Sequence, residues 1–502
     1  MSDQHLRRKS GARKGVSYLK KAAAVLLTGL LFAGTACSAS PELVYYTPTE
    51  PETEEAIFYR PETGALADVI PYYEDGKYYL YYLHDYRNVA TYGAGVDWDL
   101  LVTEDFVSYE NLGTVIRRGS PSQQDNNVFT GGIIKDKEGL YHIFYTGNNA
   151  SYLGTGKPKE AIMHAVSEDM VRWRKIPEDT FYAPSQYMSD DWRDPYVYYD
   201  EAEGDYKMLL AARLTEGAES ARGVTAMLAS DDLKTWNLRD PLYAPAKYHT
   251  HECPDLFRMG DWWYLVFSEF SDRISTRYVM SRDLENWIEP AADMFDGRAF
   301  YAAKTAGDGE KRYIFGWVPT KTNNEDIGGW EWGGSLAVHE IYQKEDGTLG
   351  VRAPQSQEAV FSEEIASDSI GVRGTSGRTE EIGSLPQTYM LRCTVSGEFV
   401  RAGYSVGHSA ADGYRYVIDP DAGTFSFENY PSANLFSDVT FPIPKADTYE
   451  LTIFVEGQVC TAYVNGEKAL STRVDGTLGA AVGFYVQGGE ATFNYTISVM
   501  RS

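Results

Sequence analysis

The stretch "GKYYLYYLHD" at residues 76–85 recurs in altered form along the chain, as "GLYHIFYTGN" (139–148), "GDYKMLLAAR" (204–213), "GDWWYLVFSEF" (260–270) and "EKRYIFGWVP" (310–319). Four of the five open on a turn glycine, and each then runs through aromatic and branched apolar residues, the composition of a buried strand. A second element follows the first four: "TEDFVSYENL" (103–112), "SEDMVRWRKI" (167–176), "SDDLKTWNLR" (230–239) and "SRDLENWIEP" (281–290). Its Ser/Thr-x-Asp turn and aromatic anchor predict the outer hairpin of the same unit. A unit of roughly 60 residues holds about four short strands, and five copies predict a five-bladed β-propeller with long loops opening on one face. A β-sandwich or a solenoid is the competing arrangement, but neither easily explains the paired repeats. The propeller is assigned to residues 56–355.

From about residue 360 the texture changes. "TYMLRCTVS" (388–396), "GYRYVIDPDAGTFSFENY" (413–430) and "AAVGFYVQGGEATFNYTISV" (480–499) alternate apolar and polar residues between turn residues. That is the pattern of antiparallel strands with one solvated face, and "VNGEK" carries an Asn-Gly hairpin signal. Residues 356–502 are therefore predicted to form a C-terminal β-sandwich, making the whole chain all-β.

The first 36 residues have a different character. A basic run, "RRKSGARKGVSYLKK", precedes the apolar "AAAVLLTGLLFAGTA" and then Cys37. The order is that of an export signal, and Gly34, Thr35 and Ala36 before Cys37 look like a lipobox whose cysteine is lipidated. Residues 37–55, rich in Pro, Thr, Ser and Glu, cannot bury enough apolar surface to order themselves and read as a tether. The expected location is the outer face of a membrane, reached only through a lipid at Cys37.

The net charge of −26 becomes still more negative without the basic leader. Such a surface repels phosphate backbones, so nucleic acid is a poor partner and a neutral ligand fits better. Cys253, Cys393 and Cys460 remain after the signal, with no CxxC pair or His/Cys cluster at metal-ligand spacing. No metal or other cofactor is expected. Cys393 and Cys460 are read equally as a disulfide or as two buried thiols.

In a propeller the inner strands converge on the central axis, so polar groups from several blades share one pocket. Three acids stand where a strand begins in three repeats: Asp68 in "ALADVIPYY", Asp194 in "DWRDPYVYYD" and Glu252 in "HECPDLF". A cap or turn role is the competing reading for each. Cleaving a glycosidic bond commonly takes two carboxyl groups, one ionised and one protonated, with room for a third to hold hydroxyls or stabilise an oxocarbenium-like sugar. Glu252, next to Cys253 and Pro254 and near Leu256 and Phe257, is the candidate for a raised pKa and the general acid.

"RDP" and "ECPD" in that order, behind an N-terminal Asp, resemble the motifs of glycoside hydrolase family 32, the β-fructofuranosidases, invertases, levanases and inulinases. "VFTGGIIKDKEGLYHIFYTGN" and "FDGRAFYAAKTAGDGEKRYIFGWV" resemble further segments of that family, and the likeness covers most of residues 60–500. The resemblance implies a nucleophile at Asp68, a transition-state stabiliser at Asp194 and an acid/base at Glu252, acting by a retaining mechanism. Three departures mark a diverged member: "ADVIP" replaces the usual Asn-Asp-Pro-Asn-Gly, His251 replaces an aromatic before Glu-Cys, and Ala299 replaces an acid. Arg193 is expected to anchor sugar hydroxyls beside Asp194 or to neutralise it. Trp98, Phe129, Thr130, Trp192, His251, Tyr301 and Lys304 are further candidates for the sugar site, with propeller core as the competing role for Phe129. Core is the favoured role for Trp317. His84, Asp85, Asn126 and Asn127 are candidates for the pocket mouth or for surface and turn positions.

The function so implied is hydrolysis of β-fructofuranosidic bonds in fructans or sucrose-like fructosides. An arabinan- or xylan-type furanosidase on a related propeller, and a non-catalytic glycan-binding lipoprotein, are the alternatives.

Overall fold

The computed structural model describes residues 52–326, 328–407, 413–430, 441–474 and 481–501. The export signal, Cys37 and most of the tether lie outside the described residues. Residues Glu52–Glu55, expected in the tether, instead pair antiparallel with Ser108–Asn111 as an added edge strand.

The glycine-headed repeats form the second strand of each blade, as in Lys77–Asp85, Tyr141–Asn148, Asp205–Leu214, Trp262–Glu269 and Arg312–Lys321. Each pairs with an inner strand preceding it: Ala65–Glu74, Asn127–Lys135, Tyr187–Asp200, Glu252–Met259 and Tyr301–Gly307. Together these build the five-bladed propeller, and Leu66 of the first blade pairs with Gly334 of the fifth across the closure. The fourth blade has three strands, its outer edge reduced to a bridge between Met280 and Ile288.

The outer turns share one capping arrangement, with the hydroxyl in the third accepting from the Asp232 N–H. In the first, the Thr103 hydroxyl accepts the Phe106 N–H at 2.9 Å while the Asp105 carboxylate accepts the Ser108 N–H at 2.8 Å. Ser167 with Asp169, Ser230 with Asp232, and Ser281 with Asp283 cap their own turns in the same way. Phe106, Met170, Leu233 and Leu284 take left-handed φ values of 60°, 62°, 59° and 63° there. That conformation is unfavourable for a side-chain-bearing residue, and the caps together with burial of Phe106, Met170 and Leu233 and partial burial of Leu284 offset it.

Two six-stranded sheets make the C-terminal sandwich, and residues such as Tyr389, Leu391, Tyr416, Phe427, Ile453 and Phe484 fill the space between them. Cys393 and Cys460 are free, buried thiols within it. Polar contacts join sandwich and propeller: Glu456 accepts the N–H groups of Ile57 and Phe58, and Arg473 donates to Pro319 O and Ser335.

What positions the site is a feature shared by all five inner strands. Each has a break in register in the same part of the strand, at Ala67/Ile70, Phe129/Gly131, Arg193/Tyr196, Glu252/Asp255 and Tyr301/Lys304. A bulge inserts an unpaired residue, bends the strand and re-aims a side chain. Asp68, Asp194, Cys253 and Ala302 take φ values of 36°, 57°, 52° and 50° at four of these bulges. In the second blade Gly131 and Gly132 permit the close approach instead, since a Cβ on Gly131 would lie 2.1 Å from Phe144 O and one on Gly132 2.8 Å from Pro195 O.

Candidate active site

The bulges aim three carboxylates into one cavity of about 360 Å³. Asp68 enters from the first blade, Asp194 from the third and Glu252 from the fourth, with Phe129, Arg193, Tyr301 and Trp332 among the walls. Each acid is held differently.

Asp68 receives two donors: the Thr130 hydroxyl at 2.6 Å on one oxygen and the Trp317 indole N–H at 3.1 Å on the other. Burial in the funnel nevertheless pushes its carboxyl up to about 6, with the Glu252 charge adding to the rise and the two donors and Lys304 opposing it. Asp194 accepts the backbone N–H of Cys253 at 2.9 Å, and its own N–H donates to the Thr146 hydroxyl at 2.8 Å. Burial carries this carboxyl up to about 7 against the pull of Arg193.

Glu252 departs from the sequence expectation in its surroundings. Its apolar sequence neighbours pack into the core, Cys253, Leu256 and Phe257 entering three separate clusters, with Cys253 also at the cavity wall. The carboxylate meets polar partners instead, accepting from the Tyr301 hydroxyl at 2.6 Å and from Arg193 at 3.1 Å.

Of the other candidates, Arg193, Phe129 and Tyr301 line the cavity. Thr130 is fully buried and reaches the site only through its bond to Asp68. Lys304 lies beneath the floor, donating to Pro254 O at 3.1 Å. Trp98, Trp192 and His251 require correction. Trp98 packs against Tyr81 and Tyr145 in the propeller core, and Trp192 packs against Tyr187. His251 sits among Tyr243, Tyr248 and Phe267, where burial lowers its pKa to about 3 and keeps it neutral. Strand alternation sends these residues to the face opposite the funnel or out of its reach. His84 is buried against Asp99 at 2.7 Å, and Asp85 pairs with Arg87 at 2.8 Å. Neither these two nor Asn126 and Asn127 are among the cavity-lining residues.

Lys159, Glu160, Asp190, Asp191 and Trp332 line the cavity without having been singled out from the sequence. "SDD" at 189–191 reads as a solvated acidic turn, and nothing local marks Glu160 as facing an axis one blade away. Among the described residues no group of His, Cys, Asp and Glu has the arrangement to hold a metal ion.

Three converging carboxylates, one gripped by two donors and another bonded to a tyrosine and an arginine, define a glycosidase-type centre on a five-bladed propeller. Residues 59–349 match the glycosyl hydrolases family 32 N-terminal domain, and the chain belongs to that family. It is 24% identical over 404 residues to a levanbiose-producing levanase of Geobacillus stearothermophilus, covering 69% of this chain and 93% of that one. It is 24% identical over 434 residues to a raffinose invertase of Escherichia coli, with 80% and 85% covered. The exo-inulinase of Aspergillus awamori superposes with a TM-score of 0.70 at 16% identity, covering 89% of this chain and 98% of that one. The chain is a glycoside hydrolase.

Proposed function

We propose that the protein hydrolyses β-fructofuranosidic bonds of fructans or sucrose-like fructosides with retention, using Asp68, Glu252 and Asp194. Asp68 attacks the anomeric carbon while Glu252 gives its proton to the leaving oxygen, which departs as an alcohol. Glu252, now ionised, takes a proton from water, whose oxygen displaces Asp68 and releases fructose. Thr130 and Trp317 fix the Asp68 carboxylate in one orientation, and its low-dielectric setting leaves it poorly solvated and ready to attack. Asp194, close to Arg193, faces the sugar to hold hydroxyls or to stabilise positive charge developing on the ring.

The observation that carries this reading is the convergence of the three acids from three blades in one cavity, in a chain of this family. The test is release of fructose from sucrose, inulin and levan, with arabinan as the control polymer. Fructose release abolished in both Asp68→Asn and Glu252→Gln supports the reading. Arabinose release from arabinan, or binding of fructans without release, overturns it.

The basic leader, its apolar run and the residues before Cys37 support display on the outer face of a membrane through a lipid on Cys37. Metabolic labelling with a radioactive fatty acid tests this, and label retained by Cys37→Ala refutes it.

A further inference from the structure

Glu160 is a buried carboxylate that the mechanism above leaves without a task. It starts the strand Glu160–Ser167 of the second blade, and its side chain is 3% exposed. Two of its partners, Lys159 and Arg193, line the cavity. One oxygen accepts the Trp192 N–H at 3.1 Å and faces Arg193 at 3.4 Å. The other accepts from Asn148 at 3.3 Å and pairs with Lys159 at 3.2 Å. Arg193 in turn bonds Asp191 at 2.5 Å and Glu252 at 3.1 Å, and its Nε lies 3.9 Å from Asp194. Asp191 is itself anchored by Arg213 at 2.5 Å. A line of charge thus runs from the second blade through the third to the acid/base of the fourth.

We propose that Glu160 is a positioning residue: it braces the Arg193 guanidinium so that Arg193 presents one N–H to Glu252, thereby setting the orientation of the acid/base and the positive charge beside it. The proposal rests on the assignment of Glu252 to that role. A guanidinium on a long flexible side chain has many rotamers, and a bidentate or multiply anchored geometry removes that freedom. Glu160 and Asp191, from two blades, share one Arg193 nitrogen, Nη1, which leaves Nη2 turned to Glu252, and the Glu160 carboxylate also tethers the Trp192 backbone two residues before Asp194.

The groups facing the acid/base define the sign of the effect. Glu252 is faced by Arg193, Tyr301, Asp68 and Asp194, and Arg193 by Glu160, Asp191, Asp194 and Glu252. Removing the Glu160 charge takes a negative charge from this cluster and leaves Arg193 less compensated, so its positive charge bears more strongly on the acid/base.

The test compares wild type, Glu160→Gln and Glu252→Gln on sucrose across pH. Cleavage by wild type and none by Glu252→Gln upholds the underlying assignment. In Glu160→Gln the alkaline limb of the kcat profile is expected to move to lower pH by about half a unit. Its kcat at neutral pH is expected to fall about tenfold with KM within about twofold, because the altered contact orients the acid/base and not the bound sugar. Glu160→Ala, which also abandons the Trp192 N–H and Asn148, is expected to lose thermal stability in addition, and Glu160→Gln to restore most of that loss. A Glu160→Gln variant with the wild-type limb and kcat overturns the proposal, as does one whose loss is confined to KM or to thermal stability.

Discussion

The propeller axis and the interior of the C-terminal sandwich are both enclosed by antiparallel strands, yet they bury opposite kinds of group. The sandwich interior is apolar, with Ile453, Phe425, Val482 and Phe484 fully enclosed and even its cysteines left as unreactive thiols, Cys460 raised to about 12 by burial. The axis encloses Asp194, Asp255 and Lys304 and funnels Asp68 and Glu252 to one side of them. Burying ionisable groups is unfavourable unless they are paired, so the axis carries a standing instability, whereas buried charges of the sandwich such as Lys468 and Arg473 lie where it meets the propeller, donating to Met294 O and Pro319 O. In the second region, among the described residues, the breaks in register at Glu364/Ala366 and Glu381/Gly383 fall in edge strands. The first needs a bulge in each inner strand to point charges where regular strands would place them to either side.

The sharpest way to break the contrast is to remove the reacting groups. Asp68→Asn and Glu252→Gln are each expected to lower kcat by about 10⁴-fold or more in steady-state assays of fructose release, with near-UV circular dichroism unchanged. Six carboxylates line the cavity, and its two cations are already engaged, Lys159 by Glu160 and Arg193 by Asp191. A fructoside carrying a phosphate is therefore expected to have a kcat/KM about 100-fold or more below that of its uncharged counterpart, because an anion meets repulsion without a free partner. Equal rates on both substrates would show that the lining charges do not select. In the proposed mechanism ionised Asp68 is the attacking form, and burial raises its pKa to about 6. The rate should therefore fall about tenfold per unit as pH drops below 6, read from the acid limb of kcat/KM.

On the other side of the contrast, Ile453→Ala is expected to destabilise the protein by about 2–5 kcal/mol while leaving kcat at 25 °C intact, as thermal unfolding and activity measured together would reveal. The smallest effect belongs to Asp194→Asn. Burial raises the folded pKa of Asp194 to about 7 from its ordinary value of 3.8, so the stability this group contributes is fully present below pH 4 and is lost as pH rises through 7. Asparagine stays neutral throughout, so the variant should gain about 2 °C or more in Tm at pH 8 and nothing at pH 4, while losing activity.

The repeats made the architecture readable because a blade's second strand is buried on both faces, which forces a continuous aromatic run, and because its outer turn needs a Ser/Thr and an Asp two residues apart. The three acids were readable from their place before strands and from the family's motifs, and Pro195 and Pro254 were local hints of interrupted pairing, since proline within a central strand marks a bulge. Asp68 lacks that hint, being followed by Val69. The choice of sugar-facing aromatics was poorer. Trp98, Trp192 and His251 look like stacking platforms in one dimension, but whether a ring faces an axis or a neighbouring blade depends on register and on which residue the bulge inserts.

The sequence by itself determined the number of blades, the change to a second all-β domain and the three acids, because burial pattern and turn chemistry are local properties. Only the tertiary structure decided what surrounds each acid. Electrostatic environment is set by groups brought together from different blades, such as Trp317 on Asp68 and Glu160 behind Arg193, and no local pattern records which side chains will share a low-dielectric space.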